Sequence, residues 1–242
     1  MALAKDIKAA FHMAFAPIRG ETHADRLDSF YRAQASVYDD SRKKLLHGRD
    51  ALYQRLPKPD GGVWIEMGGG TGENLERIGE RIRALRSVYV VDLSESLLEV
   101  ARERIERNKW TNVHTVREDA ASFAPPEGRA DVVTFSYSLT MIPDWFAAID
   151  HAVALLSPGG ALGAVDFYVA RKYPAAGLAS HSRFTRHVWP AWFGMDNVYL
   201  SPDHLPYLRR KLISLTCIEQ RARIGYLFGL RVPHYVFIGR KP

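Results

Sequence analysis

Four glycines within five positions, in Glu66-Met67-Gly68-Gly69-Gly70-Thr71-Gly72, constrain this chain more than any other stretch. The apolar run Val63-Trp64-Ile65 precedes them, and a helical pattern, Glu73–Ile78, follows. Glycine is needed at such a turn because the backbone bends sharply and a ligand must approach without meeting Cβ atoms. In this setting a glycine cluster marks the carboxyl edge of a sheet, with a helix start behind it.

The residues after this turn keep the same rhythm. Strands are predicted at Ser87–Val91, Asn112–Val116, Asp131–Ser136 and Ala161–Phe167. Helices are predicted at Gly72–Ile82, Ser94–Asn108 and Asp144–Leu156. Such alternation implies a parallel sheet covered on both sides. Ser157-Pro158-Gly159-Gly160 reads as a tight helix-to-strand turn. Ser201 and Pro202 read as the start of a helix through Leu212, and Leu215–Ile224 and Val232–Arg240 as two antiparallel strands. The expected fold is α/β, a Rossmann-like, doubly wound, mostly parallel seven-stranded sheet with an antiparallel last strand. Residues 1–60 read as a helical cap and 61–167 as the core. Residues 168–242 read as an aperiodic insertion or lid (168–200), a helix and the closing strands.

Hydrophobic residues form 47% of the 242-residue chain and charged residues 25%, which suits a globular protein rather than a disordered one. The single cysteine, Cys217, excludes an internal disulfide and points to a reducing compartment; its flanks suggest a buried thiol. No run is long enough to span a bilayer, and we expect no cleaved leader. Leu3, Ile7, Phe11, Phe15 and Ile18 recur at helical spacing among basic residues, so the first 20 residues form either a packed helix or one lying on an anionic membrane. Residues 171–242 hold 12 Lys and Arg against 3 Asp and Glu, whereas the rest of the chain holds 21 against 24. A basic C-terminal third suits anionic lipid or nucleic acid, or is a solvated surface.

Further polar residues fall where a nucleoside cofactor would need them. Asp92, twenty residues after Gly72, ends the second strand, where a carboxylate accepts from ribose hydroxyls. Asp119-Ala120 follows the third strand, and Ser136-Tyr137 ends the fourth, beside the crevice. A nicotinamide cofactor fits less well, because the third glycine of its fingerprint would fall on Glu73. Together these motifs resemble those of the class I methyltransferases over residues 63–167. The resemblance implies that S-adenosylmethionine is held by Glu66, Gly68, Gly70, Gly72, Asp92, Asp119, Ala120 and Ser136. No metal site is expected.

The flanks resemble the betaine-lipid methyltransferases. The stretches are Leu27-Asp28-Ser29-Phe30-Tyr31-Arg32-Ala33-Gln34, Tyr38-Asp39, Lys44–Arg49, His187–Phe193, Asn197–Leu208 and Gly229–Arg240. That likeness implies three successive N-methylations of diacylglyceryl-homoserine by a cytoplasmic enzyme peripheral to the inner face of the membrane. An enzyme making the homoserine lipid becomes a possible pathway partner; no nucleic-acid partner is expected. Cationic groups favour aromatic faces by about 0.5–2 kcal/mol. Tyr38 and Tyr137 are therefore candidate catalytic residues, with His181 as a candidate acceptor of the amine proton. Tyr31, Trp189 and Trp192, with Arg183 and Arg186 for the substrate carboxylate, are candidate substrate contacts. Phosphatidylethanolamine or small-molecule methylation and a non-catalytic cofactor-binding subunit are the competing readings.

Overall fold

A computed structural model describes residues 20–32, 45–195, 197–224 and 230–242. The amphipathic stretch 1–19, Tyr38 and the loop 225–229 lie outside the described residues. Helices α1 (His23–Arg32) and α2 (Arg49–Arg55) precede strand β1 (Val63–Met67). A run of 3₁₀ turns (Glu73–Ala84), β2 (Ser87–Asp92), α3 (Glu95–Asn108), β3 (Val113–Arg117) and β4 (Ala130–Ser136) follow. The chain continues through α4 (Trp145–Leu155), β5 (Leu156–Phe167), α5 (Arg183–Gly194), α6 (His204–Lys211), β6 (Ile213–Arg223) and β7 (Arg231–Arg240).

The seven strands form one sheet in the order β3-β2-β1-β4-β5-β7-β6. Strands β1 to β5 are parallel, and β7 lies antiparallel between β5 and β6. This is the expected Rossmann-like, mostly parallel seven-stranded architecture. Both sheet surfaces are covered, which is why the inner strands read as continuous apolar runs. Ile65, Met67, Val133 and Phe135 pack under α4 and α6, while Trp64, Val88, Val90 and Val132 pack under α2, the 3₁₀ run and α3. Each such side chain contributes roughly 1.5–3 kcal/mol on burial. Beyond the carboxyl edge a third apolar cluster joins Leu45, Leu46, Phe167, Trp189 and Phe193, and so seats α5 beside Tyr137.

Several local features differ from the expectations. The helix after the glycine turn is broken at Gly79, whose φ of 67° and ψ of −154° no helix contains. Strand β5 begins at Leu156, because Ser157–Gly160 forms a bulge against β4 instead of a free turn. The 168–200 segment contains α5, capped where Ser182 Oγ accepts from the Thr185 N–H at 3.2 Å. Its buried positions, Thr185, Trp189 and Phe193, do keep a four-residue period; exposed aromatics and Pro190 obscured it. Helix α6 starts at His204, since Ser201 Oγ turns back to accept from the Asp203 N–H. Cys217 is exposed, contrary to expectation, because β6 is an edge strand with one neighbour.

Candidate functional site

The order of strands reverses between β1 and β4, and their carboxyl ends flank the crevice where ligands of open α/β sheets bind. A cleft of about 830 Å³, counting the solvent at its mouth, opens there. The glycine turn is its floor. Gly68, Gly70 and Gly72 have φ of 66°, 53° and 66°, a left-handed conformation that costs other residues energy. The N–H groups of Gly68 and Gly69 donate to Val91 O at 2.8 and 3.0 Å, stitching the turn to β2. A Cβ on Gly70 would come no closer than 3.6 Å to Leu97, so this backbone borders open space.

Asp92 stands at the tip of β2 and lines the cleft. Its Oδ2 accepts from the Gly70 N–H and its Oδ1 from the Ser94 N–H, both at 2.9 Å. Burial raises its carboxyl above the usual range, although these bonds and one from Leu93 oppose the shift. Ser94, in turn, caps α3. Exposed Asp119 and buried Ala120 border the same cleft, and Asp119 Oδ1 accepts from the Ala121 N–H at 2.8 Å. Ser136 and Tyr137 close it from β4. Tyr137 sits at φ 57°, donates its hydroxyl to His47 O at 2.5 Å, and meets Phe167 edge-on at 4.7 Å. Burial, then the nearby Asp166 carboxylate, push its phenol well above the ordinary value, so it acts as a fixed ring and donor and not as a base.

Glu66 is placed differently from the expectation. It is fully buried beneath the turn and does not line the cleft. Its carboxylate accepts from Tyr53 Oη at 2.5 Å, from Asn74 Nδ2 at 3.0 Å and from Thr134 Oγ1. It therefore holds the turn in position from below. Gly72 likewise serves the bend and is not among the lining residues. His181 lies away from the cleft, with Nδ1 accepting from the Ala170 N–H at 3.0 Å; burial, and then Arg221, lower its pKa to about 4. Trp189 is core, packed among Phe193 and its neighbours, and Trp192 faces solvent. Arg183 and Arg186 lie on α5 outside the cleft lining. Tyr31, by contrast, does line the cleft, with Leu27 from the same helix. Asp28 anchors that helix by accepting from the Ser96 N–H at 2.9 Å and from Ser94 Oγ at 3.1 Å.

Sequence reasoning gave no role to Arg49, Glu73 or Asn74, all of which line the cleft. Arg49 Nη1 meets Glu73 Oε2 at 2.8 Å with both side chains about nine-tenths buried, and Arg77 joins the same carboxylate at 2.6 Å. Arg49 and Glu73 are 24 residues apart on different elements, so no spacing rule links them. Among the described residues, three buried polar atoms in lining residues have no protein partner: Arg49 Nε, Asn74 Oδ1 and Ser136 Oγ. Buried polar groups are normally satisfied, so a donor, an acceptor and a hydroxyl left open together fit a polar ligand.

Residues 38–212 match the family model described as a methyltransferase domain. Among characterised proteins, the ubiquinone/menaquinone biosynthesis C-methyltransferase UbiE of Shewanella halifaxensis is 25% identical over 171 residues, covering 68% of each chain. The Escherichia coli protein of that name is 27% identical over 163 residues, covering 64% of each. Phosphoethanolamine N-methyltransferase 2 of Haemonchus contortus, solved with S-adenosyl-L-methionine, superposes with a TM-score of 0.69 at 17% identity, over 93% of this chain and 61% of that one. The N-methyltransferase NodS of Bradyrhizobium japonicum, solved with S-adenosyl-L-homocysteine, gives 0.61 at 15% identity, over 87% and 96%. At these identities the structural likeness shows the fold.

Proposed function

This chain belongs to the methyltransferase-domain family and is S-adenosylmethionine-dependent, and from that premise we propose that it methylates the amine of diacylglyceryl-homoserine three times in succession. When bound, the cofactor supplies an electrophilic methyl group on a sulfonium. The Arg49 Nε–H and Asn74 Oδ1, buried without a partner among the described residues, suit the carboxylate and ammonium of an amino-acid end beside the glycine turn. Asp92 and Asp119 keep the ribose and adenine roles assigned to them above, and Glu66 supports the turn.

The observation that carries the amine reading is the character of the acceptor side. The rings of Tyr31 and Tyr137 line it, and among the described residues no histidine does. An aromatic wall favours a cation by about 0.5–2 kcal/mol, which suits an ammonium that gains charge-dispersing methyl groups. The ammonium needs only to lose a proton beforehand to become the attacking amine, and water can take it. Holding the amine in line and excluding solvent then supply most of the rate. The flanking stretches quoted above support the choice of a lipid head group.

The UbiE relatives favour a second reading, carbon methylation of an apolar ring. Mass spectrometry after incubating the protein with S-adenosylmethionine and mixed vesicles separates the readings. The vesicles would hold diacylglyceryl-homoserine, phosphatidylethanolamine and a demethylated quinone. Mono-, di- and trimethylated homoserine lipid supports the proposal; methylated quinone or phosphatidylethanolamine alone replaces it.

A further inference from the structure

Helix α5 buries one side and leaves an apolar stripe along one margin of its exposed surface. Thr185, Trp189 and Phe193 face the core, four residues apart. At about 100° per residue, Phe184, Val188, Trp192 and the cap residue Met195 fall within roughly 80° of arc, next to that buried face. Phe184 is 61% exposed, Met195 60% and Trp192 44%, while Val188 is half-buried. Large apolar side chains rarely line up on a water-facing helix without a partner.

The flank of the stripe is positive. His187 and Arg183 are exposed beyond the stripe's other edge, about 60° and 100° of arc from Phe184, and Arg186 lies further round, beside the buried face. Among the described residues neither Arg183 nor Arg186 has an ion-pair partner, and Arg186 Nε has no hydrogen-bond partner. The sequence from 168 to 203 holds four Arg and Lys against two carboxylates, Asp196 and Asp203, the second of them paired with Arg171. An apolar stripe with the exposed Arg183, which has no ion-pair partner among the described residues, on the same helix is complementary to a layer whose surface is anionic and whose interior is hydrocarbon. A second copy of the same chain would bring like charges together.

The geometry points to the exposed side of α5 as a docking surface for an anionic lipid bilayer, with Phe184 and Trp192 entering the interface and Arg183 meeting the head groups. Since Trp189 and Phe193 on the adjoining buried face pack in the cluster that also holds Tyr137, docking sets the cleft beside the membrane. The biological purpose of this surface rests on the lipid reading above, but its binding does not.

The test is vesicle co-sedimentation of the full chain with phosphatidylglycerol/phosphatidylcholine or pure phosphatidylcholine vesicles. The double variant Phe184→Ser/Trp192→Ser and the variant Arg183→Glu are compared with it. The side chains changed are exposed, so melting temperature and S-adenosylmethionine affinity should hold. We expect binding to the anionic vesicles only, weakened by salt, with the double variant losing about tenfold or more in partitioning. No binding, binding that the variants leave unchanged, or a solution dimer that they dissolve would overturn the inference. A dibutanoyl analogue of the homoserine lipid, soluble without vesicles, separates the two failures. Its methylation without vesicle binding sinks the surface and keeps the substrate; vesicle binding without its methylation does the reverse.

Discussion

Arg49 and Glu73 form an ion pair of 2.8 Å at the cleft wall, with both side chains about nine-tenths buried. The pair clamps the start of α2 to the residue that follows the glycine turn, so the helical cap and the sheet share one wall of the site. Breaking one partner of a buried pair leaves a charge without compensation, at a cost of about 3–5 kcal/mol. Glu73→Gln should lower unfolding free energy by that order, because it leaves buried Arg49 without its carboxylate, whereas Arg77 keeps Asp50 at 2.9 Å. Arg49→Met/Glu73→Met should recover much of the stability without recovering cofactor affinity. Denaturant unfolding and calorimetric titration with S-adenosylmethionine read the two quantities separately.

Gly68 and Gly70 should respond differently to alanine. A Cβ at Gly68 would lie 2.5 Å from Ser138 Cβ, whereas at Gly70 it would face the cleft. Both positions add roughly 1–2 kcal/mol for left-handed backbone. Gly70→Ala should stop near that cost and weaken cofactor binding about tenfold or more. Gly68→Ala should add an overpacking cost of about 1–3 kcal/mol, visible as a lower melting temperature even without cofactor.

Tyr137 contributes a ring and a hydroxyl, and substitution separates them. Tyr137→Phe removes the bond to His47 O, worth about 1 kcal/mol of stability, and should leave methyl transfer within a few-fold. Tyr137→Ala also removes the aromatic wall and should lower kcat by about tenfold or more. Equal losses of kcat in both variants would place the effect in the hydroxyl.

Asp166 should impose a pH dependence on stability. It is fully buried at the end of β5 and accepts from the Thr140 N–H, the Thr140 hydroxyl and the Phe167 N–H. Burial raises its pKa from 3.8 to about 7, against the pull of those bonds. The folded chain therefore retains a proton that the unfolded chain has lost between those values. Stability falls as pH rises from about 4 to about 7, by up to roughly 1.4 kcal/mol per unit, and is level above. Asp166→Asn should flatten that slope in urea unfolding across the same range. Asp28 acts in the opposite direction and in a separate window. Burial raises it, but the bonds from Ser96, Arg32 and Ser94 outweigh that and hold it at about 2, so its contribution is lost only as pH falls below about 4.

The sequence by itself determined the fold and the backbone of the candidate cofactor site, because both are written in local patterns. Apolar strands alternating with helices require a covered parallel sheet, and glycines at left-handed positions require the turn that Gly68, Gly70 and Gly72 make. Asp92, Asp119 and Ser136 were legible for the same reason, since strand ends on one edge of a parallel sheet must gather at one crevice. Tertiary structure alone decided which side chains furnish the rest. Glu66 looked like a ligand until Tyr53, Thr134 and Asn74 converged on it beneath the turn. His181, Arg183 and Arg186 looked like substrate contacts until the placement of α5 left them outside the cleft lining. Arg49 and Asn74 gave no signal, because a role created by packing two distant segments together leaves no periodic trace in either.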